Sequence, residues 1–289
     1  MAIGPYGALL DAVRGVRWPA RRAVPGGAPG AHQARRRGIA PEFAEYRPYR
    51  QGDDPRRVDW RLLARSDRAY IRLAPNRAVL GTTLVVDASA SMAFPARDPN
   101  KWSLARELAM ALAAVAHAGA DPVGLVVAHS GGVTALRPQT RRGVIAEMAR
   151  TLDGISPAGA APLAPALAAV RGRVVIVTDC LGDLDDVRRA ARALAAQGGE
   201  ATVVHIVSRL EVDPLGEAVL VVDPEAPLVE RSLTANGRAG YTERFASWRA
   251  RVAREWLDDG VAYVEARDDE AAERVVRRVV AASQRAVHA

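Results

Sequence analysis

The chain has 289 residues, 49% of them hydrophobic and 25% charged, a composition that excludes collagen-like, coiled-coil and wholly disordered classes and leaves enough apolar mass for a large core. No stretch approaches the ~18 consecutive apolar residues of a membrane helix, and the first residues lack the charged-then-apolar-then-small pattern of a secretory signal, so a cytoplasmic location is expected. The net charge of +7 is concentrated at the front, where residues 1–80 carry 16 Arg against 7 acids. Lys101 is the sole lysine and follows no glycine-rich turn, which excludes a P-loop NTPase. The single cysteine, Cys180, excludes an intramolecular disulfide and gives no zinc-type spacing.

In chain order, residues 1–40 place Pro25, Gly26, Gly27, Pro29 and Gly30 ahead of Arg35, Arg36 and Arg37, and read as a basic flexible arm. Residues 41–79 interleave aromatics with charge through Phe43, Tyr46, Tyr49, Asp53, Asp54, Arg56, Arg57, Asp59, Trp60 and Arg65, and are expected to form short strands and turns. Over residues 80–289, short apolar runs alternate with amphipathic segments. Strands are expected at 83–86, 123–128, 174–177, 202–207, 218–222 and 262–265. Helices are expected at 102–117, 144–152, 163–170, 184–196, 241–257 and 270–285. Continuous apolar strands between helices predict a mostly parallel sheet covered on both faces, a doubly wound, Rossmann-like α/β domain.

Ligands of such sheets gather at the carboxyl ends of the strands, near the point where strand order reverses. Two candidate central strands end there in carboxylates, as Val85-Val86-Asp87 and Ile176-Val177-Thr178-Asp179. Asp87, Ser89 and Ser91 form a D-x-S-x-S run whose hard oxygens, with Asp179 nearby, suit Mg²⁺ or Mn²⁺. The competing reading is a polar strand-end loop that caps the helix after it.

Asp87-Ala-Ser-Ala-Ser91 after an apolar strand, with Asp179 ending a later one, resembles the metal-ion-dependent adhesion site of von Willebrand factor A domains. Upstream, Glu42-Phe-Ala-Glu-Tyr-Arg-Pro-Tyr-Arg-Gln-Gly-Asp-Asp-Pro-Arg-Arg-Val-Asp-Trp60, followed by Ala64-Arg65, resembles domain-of-unknown-function family 58, bacterial proteins that join this segment to an A-type domain. The resemblance covers roughly residues 38–265 and is to the short form without membrane helices. It implies a non-catalytic adaptor that works with a MoxR-type AAA+ ATPase in assembly, maturation or metal insertion of a client protein. It also implies a cation held by Asp87, Ser89 and Ser91, with Asp179 as a ligand or acting through water. One position departs from the pattern: Ala161 stands where the adhesion site takes a threonine hydroxyl, which implies a weak or absent metal.

Other functions carry less support. The cluster of Asp53, Asp54, Arg56, Arg57, Asp59, Trp60 and Arg65 reads as a structural ion-pair network or a partner surface. The early arginines lack the aromatic interleaving of a nucleic-acid reader, so no nucleic-acid partner is expected. Ser89, Asp179 and His205 follow a hydrolase order, but no G-x-S-x-G elbow surrounds Ser89 and His205 lies within an apolar run. Cys180 reads as a buried structural thiol. A metal-free structural scaffold is the alternative to the adaptor.

Overall fold

The computed structural model describes residues 4–20, 29–33, 45–50, 53, 55–73, 77–78, 80–214, 219–222, 230–233 and 235–285. These fall into two units, one of residues 1–18 with 81–289 and the other of residues 19–80.

The larger unit is built on a six-stranded sheet. Its strands are β1 (Thr82–Ala88), β2 (Val123–His129), β3 (Gly132–Gln139), β4 (Arg173–Thr178), β5 (Glu200–Val207) and β6 (Ala262–Arg267). Their spatial order is β6-β5-β4-β1-β2-β3, with every pair parallel except β2–β3. The expected doubly wound α/β architecture is therefore the one observed. Because successive strand residues point to opposite faces, Leu84, Val86 and Ala88 of β1 enter one apolar cluster while Val85 enters the other.

The first face is covered by α1 (Lys101–Ala118), α2 (Val144–Asp153) and the terminal helix Ala272–Arg285. The second is covered by α3 (Leu163–Ala168), α4 (Leu184–Ala196) and part of the long helix Ala235–Asp258, whose Trp256 is fully buried. A one-turn helix, α5 (Arg209–Val212), follows β5, so the two long C-terminal helices are α6 (Ala235–Asp258) and α7 (Ala272–Arg285).

Three expectations are corrected. Gly4–Trp18 is not part of a flexible arm: Tyr6, Val13 and Trp18 are buried in the first cluster. The Tyr6 hydroxyl donates to Asp153 at 3.1 Å, and the Trp18 indole N–H donates to Ser283 at 2.8 Å. The 218–222 run is a strand, Val219–Val222, but it pairs antiparallel with Glu230–Leu233 in a separate ribbon outside the main sheet. β3, an antiparallel edge strand, joins the sheet where no strand was expected.

In the smaller unit, Glu45–Pro48 pairs with Tyr70–Leu73, and Pro29–Gln33 with Arg77–Ala78. Val58 and Ile71 form a small core with Tyr49, Leu63 and Ala69. The expected strands and turns are joined by a helix, Trp60–Ser66.

Candidate functional site

Chain order along the sheet reverses between β1 and β4, which lie side by side with β1 leading outward to β2 and β4 to β5. Asp87 and Asp179 lie at the carboxyl ends of these two strands, at the crevice where α/β sheets place ligands. Backbone bonds draw a third loop to the same place: Ala158 N–H donates to the Ala88 carbonyl at 3.1 Å, and Ala90 N–H to the Gly159 carbonyl at 2.8 Å. Gly159 has φ +54°, and a Cβ there would meet Ser130 Cβ at 3.0 Å, so glycine suits both the turn and the space.

Asp87, Ser89, Ser91 and Asp179 are all buried. The Ser89 N–H donates to Asp87 Oδ1 at 2.8 Å, the Thr178 hydroxyl to Asp87 Oδ2 at 2.7 Å, and the Ser89 and Ser91 hydroxyls lie 3.1 Å apart. Burial, then the nearby Asp179 charge, push the Asp87 carboxyl up to about 6, against the pull of Thr178 and Ser89. Ser89 precedes a short 3₁₀ turn, Ala90–Ala93, yet its side chain makes no capping bond to it, and α1 is capped instead by Asn100 in a reciprocal box with Ser103. Helix capping therefore does not account for the D-x-S-x-S run.

Asp179 has a partner that sequence reading did not assign. The Lys101 ammonium, fully buried with 0% side-chain exposure, donates to Asp179 Oδ2 at 2.7 Å and to Glu211 Oε1 at 2.8 Å. Burial alone would lower the lysine pKa, but Asp179 and Glu211 override it and hold it above the ordinary value. Glu211 is pushed up by burial and pulled back by Lys101, so that one ammonium bridges two carboxyl groups. The other Glu211 oxygen accepts the Ser208 N–H at 2.7 Å, closing a capping box on α5. Asp179 Oδ1 accepts the Leu181 N–H at 3.2 Å. Between them, Cys180 sits at φ +59°, its N–H donating to Thr178 Oγ1 at 3.1 Å.

A divalent ion here would meet the Lys101 ammonium already seated on Asp179, and Ala161 packs among apolar side chains without offering an oxygen.

Ser89 is paired with Ser91, and His205 is buried in β5 with Nδ1 2.6 Å from the Tyr263 hydroxyl. Burial holds the His205 imidazole down to about 4 and pushes the buried Cys180 thiol well up, with Asp179 raising it further.

Several members of the expected cluster lie in the smaller unit among the described residues. Arg47 pairs with Asp53 at 2.8 Å, and Asp59 caps the Trp60–Ser66 helix by accepting the Arg61 and Leu62 N–H groups. Trp60 is 61% exposed, and Arg56 and Arg65 are also exposed. Asp54 and the Arg57 side chain lie outside the described residues.

Lys101, Glu211 and Thr178 were the residues missed. The lone lysine in an arginine-rich chain and the Ser208–Glu211 spacing of a capping box were the available signals.

Among solved structures, the chain is similar to the conserved hypothetical protein BatB from Bacteroides thetaiotaomicron, at 19% identity over 71% of this chain and 98% of that one, with a TM-score of 0.47. It is also similar to the SpRpn10 VWA domain, at 11% identity over 70% of this chain and 95% of that one, with a TM-score of 0.41. It is 30% identical, over 90% of each chain, to the uncharacterized proteins Rv1480 of Mycobacterium tuberculosis (strain ATCC 25618 / H37Rv) and Mb1516 of Mycobacterium bovis. Residues 45–251 match the family described as protein of unknown function DUF58, and with that match the chain belongs to the DUF58 family.

Proposed function

We propose that this chain is a non-catalytic adaptor, and that it docks a MoxR-type AAA+ ATPase and a client protein through the strand-end face around Asp87. The observation that carries the reading is the convergence of three loops on one buried polar cluster at the topological switch point. Leu181, 47% exposed beside Asp179, offers an apolar contact at the rim of that face. The geometry supports the choice of face, and the family resemblance supports the ATPase as partner.

The test is co-purification of the full chain with a co-expressed MoxR-type ATPase. Loss of binding in Leu181→Asp, with the melting temperature kept, supports docking at this face. Undiminished binding places the contact elsewhere. A substrate turned over by wild type and not by Ser89→Ala would replace the adaptor with an enzyme.

A further inference from the structure

We infer that the Lys101 ammonium is the resident cation of the strand-end site, so that the site works without a divalent metal. The functional half of this statement rests on the docking reading above; the cation assignment stands on its own geometry.

Nζ lies within 2.8 Å of both Asp179 and Glu211 and is closed off from solvent. An ammonium has three donors, and two are spent on these carboxylates. The lysine is also delivered by a fixed scaffold. It is the first residue of α1, its backbone N–H donates to the Phe94 carbonyl at 3.1 Å, and the Phe94 ring lies 5.9 Å from Nζ. The loop that leaves the Asp87–Ser91 run therefore returns to set the ammonium at the end of β4.

A divalent ion at the Ser89 and Ser91 hydroxyls would have to share Asp179 with this buried positive charge. Repulsion between like charges in a water-poor site is strong, because the low dielectric that strengthens the Lys101 pairs strengthens the repulsion too. The threonine oxygen that would offset this is replaced by the Ala161 methyl group. A tethered ammonium gives Asp179 and Glu211 their countercharge with no ion to recruit.

The experiment is a calorimetric titration of Mg²⁺ and Mn²⁺ into the full-length, chelator-stripped protein. Wild type and Ala161→Thr should give no saturable heat, while Lys101→Met should gain saturable Mn²⁺ binding. Because Lys101→Met leaves two buried carboxylates uncompensated, its melting temperature is also read with Mn²⁺, which should raise it and leave wild type unmoved.

Saturable binding to wild type that Asp87→Ala removes would overturn the assignment. So would binding gained by Ala161→Thr alone, or a folded Lys101→Met that ignores Mn²⁺. If Lys101→Met stays unfolded in Mn²⁺, the wild-type and Ala161→Thr titrations decide. Partner capture that survives chelator supports metal-free docking. Failure to capture any partner, with the titrations as expected, removes the docking reading and leaves Lys101 as the cation.

Discussion

Replacing Asp87 by Asn should stabilise the protein at alkaline pH. Asp87 is buried, and its carboxyl is raised from 3.8 to about 6. Between those values the folded state binds more protons than the unfolded one, so stability falls as pH rises through the window and the cost is complete above it. About two pKa units at ~1.36 kcal/mol each set an upper value of ~3 kcal/mol. Asn keeps an oxygen for the Ser89 N–H but removes the acceptor for the Thr178 hydroxyl, which returns ~1 kcal/mol of that gain. The expected net gain for Asp87→Asn is therefore ~1–2 kcal/mol at pH 8, shrinking toward acid and gone near pH 4. Urea unfolding of both proteins in chelator at pH 4, 6 and 8 measures it. A variant less stable than wild type at pH 8, or a difference that does not change with pH, would refute the reasoning. The expected sign is that of a side chain kept for a task other than stability.

Three further outcomes follow from packing. Trp18→Ala should cost ~3–5 kcal/mol by urea unfolding, since it removes a buried ring stacked at 4.4 Å on the Arg173 guanidinium and the bond to Ser283. Asp59→Ala should cost ~0.5–2 kcal/mol through loss of the helix cap, measured by thermal melting, and an unchanged melting temperature would count against the cap. Cys180 should react with a thiol reagent only at the rate of unfolding, because it is buried and its thiolate is disfavoured; fast labelling of native protein would contradict the site geometry.

The strands that carry the site were legible because Val85-Val86-Asp87 and Ile176-Val177-Thr178-Asp179 are buried on both faces and read as continuous apolar runs that end abruptly in polar groups. β3 was missed because it is an edge strand whose residues alternate between half-buried and exposed, and Pro138 argues against a strand. The 219–222 run looked like another sheet strand because an apolar run carries no record of its partner. At the N-terminus the Pro and Gly residues set the reading, while Tyr6, Leu9, Leu10 and Val13, too short a run to show a sustained period, pack against the core. Lys101 was hidden for a different reason. Its partners Asp179 and Glu211 lie far along the chain, and no local pattern encodes a contact made only when α1, β4 and α5 come together.

Arg173 gives the chain's topology a further meaning. Its backbone N–H holds the Gly81 carbonyl at 2.8 Å, and its guanidinium holds the Trp18 carbonyl at 3.2 Å, so one buried residue grips both the point where the chain leaves the larger unit and the point where it returns. The two ends of the 19–80 segment, Trp18 and Gly81, are thus held by one residue of the larger unit. Once both ends are held, the cost of closing the loop depends only weakly on its length. A short linker from Trp18 to Gly81 is therefore the natural cut for isolating the site-bearing unit.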